Sequence, residues 1–219
     1  MAMNNIQLPG RKIPPIICLT GVDGCGKSTH IKRLRERIQL EKGKKCEILS
    51  VWDITNLPKY QTHPFISDRT VIHRYLASLH SPARALFILH ALMESLDSIL
   101  EKKPDIILAE GYWYKYILTE TLHFQNSELL FKFAEAFPLP SKVVLLDVPP
   151  EDVWERKPTV TLYECGFSEP SRDSFIAFQS LLRKIMIEFC KHKGWKAIDA
   201  RPPQDDVASE IWKQIKDEV

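Results

Sequence analysis

The 219-residue sequence has no apolar run approaching the ~20 residues that a membrane-spanning helix needs. Its first residues, MAMNNIQLPGRK, lack the apolar core of a signal peptide. The five cysteines, Cys18, Cys25, Cys46, Cys165 and Cys190, are odd in number and contain no C-x-x-C pair. Neither a disulfide framework nor a zinc site is therefore indicated, and free thiols suit a reducing compartment. A charge excess is missing too: 30 basic residues face 28 acidic ones, for a formal net charge of +2. A general nucleic-acid binder normally carries a marked basic excess. The expectation is a cytoplasmic, soluble protein with neither a nucleic-acid nor a membrane partner. Repeats and low-complexity blocks are also absent, so residues 1–219 are expected to form one domain. His73, His80 and His90 lack metal-ligand spacing and are assigned to surface or core.

What is present is an alternation of short apolar runs with helical patterns. Residues 1–12 read as a polar arm ended by Pro14-Pro15. Strands are predicted at Ile16–Leu19, Cys46–Val51, Ile106–Ala109, Val143–Val148 and Trp195–Ile198. Helices are predicted at Lys27–Lys42, with Gly43 as C-cap, and from Ser81 to about Lys102. In the latter, Ser81-Pro82 reads as N-cap and first-turn proline, and apolar residues recur at Leu86, Phe87, Leu89, Leu92, Leu96, Ile99 and Leu100. Further helices follow Pro149-Pro150, run from about Ser171 to Gly194, and follow Pro202-Pro203. This pattern specifies an α/β fold, a five-stranded parallel sheet with helices on both faces. A mainly helical insertion is expected at about 54–103.

One motif stands out. Gly21-Val-Asp23-Gly24-Cys25-Gly26-Lys27-Ser28 fits G-x-x-x-x-G-K-[ST], directly after a strand and directly before a helix, with Thr29 following. The glycines let backbone N–H groups turn towards phosphate oxygens, and the helix N-terminus adds its positive end. Lys27 is expected to reach the β- and γ-phosphates and the Ser28 hydroxyl to be a Mg²⁺ ligand. The bland alternative is a glycine-rich turn with a chance lysine, but the strand–loop–helix context opposes it. The motif implies a nucleoside triphosphate without saying what is done with it. No N-K-x-D guanine-reading segment occurs, and the chain is short for an ATPase motor, so a small phosphoryl-transfer kinase fits best.

From about residue 14 onwards, the sequence resembles the thymidylate kinase family. The matching segments are G-V-D-G-C-G-K-S-T, Ala85-Leu86-Phe87, Leu146-Asp-Val-Pro-Pro-Glu followed by Arg156, Leu162-Tyr-Glu-Cys-Gly-Phe, and Ile198-Asp-Ala-Arg-Pro. The resemblance implies a three-layer P-loop kinase fold with a lid at about 156–171, ATP and Mg²⁺ as cofactors, nucleotide substrates with dTMP as default acceptor, and a homodimer. It also implies residue roles. Asp23 would touch the acceptor sugar and Phe87 would stack on the acceptor, with Tyr112 beside it. Glu110 would act through metal-bound water or on the acceptor, and adenine would pack near Arg201. Arg156 and Arg172 are the lid candidates for stabilising the transferring phosphoryl, with Lys157 behind them; Pro158 and Pro170 suit a segment that closes on the phosphates.

The departures from the family pattern concern the acceptor. Glu110-Gly111-Tyr112 stands where Asp-Arg-Tyr is usual, Trp52-Asp53 follows strand two in place of an arginine, Ala91 or Leu92 falls where the helix usually carries one, and Leu162 replaces a lid arginine. Arg74, Arg84 and Lys115, and more broadly the segment Asp68–Tyr75, are candidates to supply the missing cations; for each, the alternative is a solvated surface charge. Two other readings remain open. One is a kinase for a hydroxyl-bearing small molecule, such as a nucleoside, with Asp53 or Glu110 as general base. The other is a nucleotide-binding protein without catalysis.

Overall fold

The computed structural model describes residues 13–157 and 159–219; the polar arm expected at 1–12 and Pro158 lie outside the described residues. Five strands form one sheet: β1 (Ile16–Thr20), β2 (Cys46–Leu49), β3 (Ile106–Glu110), β4 (Lys142–Asp147) and β5 (Lys196–Asp199). All pairings are parallel, in the order β2-β3-β1-β4-β5. β1 lies at the centre because all five of its residues are apolar or small enough to be buried on both faces. Its register sets Leu19 opposite Glu110 and Thr20 opposite Leu145.

Alternate strand residues feed two cores. Ile16 and Cys18 face a cluster with α3 (Ser81–Glu101), α4 (Tyr112–Thr121) and α5 (Ser127–Phe133). Ile17 and Leu19 face the other, with Ile31, Leu34 and Ile38 of α1 (Lys27–Lys42), Leu182 and Met186 of α7 (Arg172–Lys193), and Val207 and Ile211 of α8 (Gln204–Ile215). The remaining helices are α2 (Arg69–Ser78) and the short α6 (Pro150–Trp154). The architecture is therefore the α/β, five-stranded parallel arrangement expected, with helices on both faces. No helix among the described residues is long and apolar enough to cross a membrane.

Three local expectations change. Strand two stops at Leu49, because Ser50 and Asp53 form a reciprocal capping box that opens a 3₁₀ turn over Val51–Asn56. The N-cap of α3 is His80, and the Ser81 hydroxyl donates instead to the Glu120 carbonyl, 3.2 Å away. Leu86, read as part of the apolar face, is 50% exposed, since that face is set by Ile88, Leu89, Leu92, Leu96 and Ile99.

Helices α3 and α4 are tied together by a buried ion pair. Arg84 Nε donates to Glu120 Oε1 at 2.8 Å, with the two side chains 5% and 0% exposed. The guanidinium also donates to the Leu79 carbonyl and lies 4.1 Å from the Phe167 ring centre. Arg84 is thus a structural cation joining α3, α4 and the chain before α7, and it is not free to meet an acceptor. Removing one partner strands a buried charge, a loss of ~3–5 kcal/mol. Glu120→Ala should therefore lower the thermal midpoint by on the order of 10 °C. A calorimetric midpoint within two degrees or so of the parent protein would contradict this reading.

Candidate active site

The loop between β1 and α1 is shaped by close approach to β4. Gly21 has φ 147°, and a Cβ there would sit 2.5 Å from the Leu146 carbonyl oxygen and 2.7 Å from Cys25 Sγ. Only glycine permits that passage. Val22 and Cys25 are buried against the second core and hold the loop in place. Gly26 caps α1 without a side-chain hydrogen bond, and no acidic residue occupies the first turn. The helix therefore offers its free N–H groups and positive end to an anion. Lys27 is 7% exposed, and its ammonium donates to the Gly21 and Val22 carbonyls at 3.0 and 2.7 Å. Burial pushes its pKa down, but the Cys25, Asp23 and Glu110 side chains outweigh that and hold it above the ordinary lysine value.

Ser28, in the first turn of α1, donates its hydroxyl to Glu110 Oε1 at the end of β3. Among the described residues no group of three or more histidine, cysteine or acidic side chains could hold a metal alone. A hydroxyl beside one carboxylate nevertheless suits Mg²⁺, a hard cation that takes one or two protein oxygens and completes its shell with phosphates and water.

These groups border a cavity of about 400 Å³, which also reaches Trp52, Arg69, Lys115, Tyr116, Lys157 and Glu164. Lys115 enters it by an indirect route. Gly111 has φ 76°, and a Cβ there would lie 3.4 Å from Lys115 Cδ. The lysine stem, one helical turn along α4, passes over the glycine and sets its ammonium 2.5 Å from Asp23 Oδ1. Burial alone would raise the Asp23 pKa, but Lys115, Lys27 and Lys157 outweigh it and hold the carboxyl below its ordinary value. Across the cavity, Lys157 pairs with Glu164 at 3.0 Å, and the Arg69 guanidinium lies 5.9 Å from the Trp52 ring centre.

The structure thus brings together Asp23, Gly24, Gly26, Lys27, Ser28, Thr29, Glu110 and Lys115. Gly21 and Cys25 lie behind the loop surface, both buried. The other expected residues do not line the cavity. The Asp53 carboxylate accepts from the Ser50 N–H at 2.9 Å in the capping box. Arg74 is exposed, five positions beyond Arg69 on α2, about 140° further around the helix. Arg84 is held by Glu120. Phe87 packs against Tyr75, with ring centres 5.1 Å apart. Tyr112 follows Gly111 with its own positive φ of 47°, which turns its ring into the core, where the hydroxyl donates to the Pro138 carbonyl. Arg201 makes a bidentate pair with Asp199, whose pKa falls to about 2 through the arginine's hydrogen bonds.

Of the residues expected in a lid, Arg156 is exposed and donates to the Asp152 carbonyl of its own turn, and Arg172 is exposed at the start of α7. Lys157 is the basic residue from that segment that reaches the cavity. Sequence reading assigns no site role to Trp52, Tyr116, Glu164 or Gln179, and names Arg69 only within the segment Asp68–Tyr75. Only Arg69 carried a signal, as the first basic residue after a good N-cap, Asp68. Gln179, on α7, is fully buried and accepts from the Asp23 N–H at 3.0 Å.

No protein-family model matches the chain. The chain is 21% identical over 203 residues to a curated protein named probable thymidylate kinase, from Methanosphaera stadtmanae; the match covers 91% of this chain and 96% of that protein.

The depressed Asp23 pKa has a consequence for stability. The ionised carboxylate contributes fully above the unfolded value, near pH 4, and its contribution is lost as pH falls through the lower folded value. In Asp23→Asn that segment of acid sensitivity should disappear. Urea midpoints measured between about pH 5 and pH 2 check this, and parallel curves for the two proteins would disprove it.

Proposed function

We propose that the chain is an ATP- and Mg²⁺-dependent kinase that transfers the γ-phosphoryl group to a nucleoside monophosphate, with dTMP as the favoured acceptor. The observation that carries this reading is the surplus of cations beyond the phosphate loop. Lys27 shares its cavity with Arg69, Lys115 and Lys157, four cationic side chains against three carboxylates. A triphosphate alone calls for the loop and its lysine; further cations on the other wall suit a second anionic ligand. The similarity to a protein named probable thymidylate kinase supports the same reading.

Phosphoryl transfer leaves little covalent work for a protein, so catalysis is positioning and charge stabilisation. The loop N–H groups and Lys27 grip the donor phosphates. Ser28 and Glu110 would hold Mg²⁺, which when bound neutralises charge on the β- and γ-phosphates. Lys157 would serve as the lid cation beside the transferring group, in the role expected of Arg156 or Arg172. Arg69 and Lys115 would hold the acceptor phosphate, while Asp23 orients Lys115 from the loop side. A monophosphate brings its own anionic nucleophile, so no free general base is required.

The hydroxyl-acceptor alternative needs such a base, and each of its candidates already has a partner. Asp53 is committed to the Ser50 capping box, and Glu110 accepts from Ser28.

A coupled assay across nucleosides and nucleoside monophosphates tests the proposal. Monophosphates, dTMP foremost, should be turned over, and Lys27→Ala should abolish turnover. Arg69→Ala should raise the acceptor KM by ~10–10²-fold, as expected for one lost charge-assisted contact, with the ATP KM nearly unchanged. Turnover confined to nucleosides would refute the assignment, as would monophosphates performing no better than water.

A further inference from the structure

The hydrogen bonds of Gln179 tie α7 to the loop at Asp23 and to the backbone at Glu164. The residue lies within α7 in a row with Phe175, Phe178 and Leu182, all buried, and is itself 0% exposed. An amide taken out of water at such a position is unfavourable unless it is well bonded, and an apolar side chain would fill the volume at no such cost. Oε1 accepts from the Asp23 N–H at 3.0 Å. Nε2 donates to the Glu164 carbonyl at 2.8 Å and to Asp23 Oδ2 at 3.4 Å.

Both ends of this bridge are themselves stiff. On the loop side, Asp23 Oδ1 is taken by Lys115, so both carboxylate oxygens and the backbone N–H have fixed partners. On the other side, Glu164 holds Lys157 through Oε1, while its Oε2 accepts from the Thr161 N–H at 2.8 Å and hydroxyl at 3.2 Å. The turn Tyr163–Cys165 is therefore tied to Thr161 and Lys157.

We infer that Gln179 is a positioning residue that couples the turn at Thr161–Cys165, with its partner Lys157, to the phosphate loop. A displacement of that turn is passed through one amide to the Asp23 N–H and carboxylate, and from there to Lys115. Ordering of the loop by a triphosphate is passed back the same way. The inference rests on reading the cavity as a nucleotide site, but not on any particular acceptor.

The test combines amide hydrogen exchange with kinetics on the full chain, for the parent protein and Gln179→Met, which keeps side-chain length and removes the hydrogen bonds. Gln179→Leu is the second variant should the first not fold. In the parent, a non-hydrolysable ATP analogue with Mg²⁺ should slow exchange in peptides covering 21–28 and 161–166 together. In the variant the loop should still be protected by the analogue, while 161–166 no longer follows. The kcat for the proposed transfer should fall ~10–10²-fold with the ATP KM within about threefold, as expected when positioning is lost and binding kept. A purely structural role would lower the thermal midpoint and leave coupled protection and kcat per folded molecule intact; that result would overturn the inference. The exchange measurement needs no turnover. If no acceptor is phosphorylated yet coupled protection is lost in the variant, the proposed reaction fails and the coupling stands.

Discussion

The passage of the chain over the end of β4 at Gly21 is the constraint from which the ligand side of this molecule follows. The Leu146 carbonyl oxygen occupies the space any β-carbon would need. Because that site is closed to a side chain, the loop can drop between the ends of β1 and β4 before α1 begins. β1 is the central strand, so its exit is flanked by β3 on one side and β4 on the other. The parallel register then delivers Glu110 to the edge of the loop. Ligands gather at such carboxyl ends in open α/β sheets because the strands arrive there together, each bringing its following loop.

A second layer of organisation is electrostatic. The three lysines of the cavity come from α1, α4 and the chain after α6, and each is held by an acceptor that belongs to the protein. Lys27 turns back on its own loop, Lys115 reaches across from α4 to Asp23, and Lys157 meets Glu164. Arg69 has no such acceptor among the described residues and rests near the face of Trp52. The buried Arg84–Glu120 pair obeys the same rule at a distance: a charge inside the protein is tolerated only with a partner.

Much of this was legible in the sequence. The five strands, α1 between Gly26 and Gly43, and α7 between Ser171 and Gly194 follow from local pattern and punctuation, which act over a few residues. What stayed hidden depended on contacts across the chain. The exception is the Ser50–Asp53 capping box, a local pattern three residues long that was read instead as a strand end and a ligand. Arg84 and Arg74 were indistinguishable as basic residues on helices, yet one meets Glu120 from 36 positions away and the other points outward. Gly111 read as a deletion; the space it leaves carries the stem of Lys115. Gln179 had no signature at all, since a single glutamine in an apolar row gains meaning only from its partner 156 residues distant.

The internal pairing of the lysines also sets a threshold for what can enter. A pocket of bare ammonium groups would fill with whatever small anion is most abundant in its surroundings, chloride and inorganic phosphate included. Here each lysine must first leave an oxygen it already holds, so a monovalent ion gains less from it than from a bare ammonium. A polyanion that satisfies several lysines at once gains more, particularly with a divalent cation to quieten Glu110. Self-neutralisation of this kind would favour ligands with enough charge to displace several internal partners together.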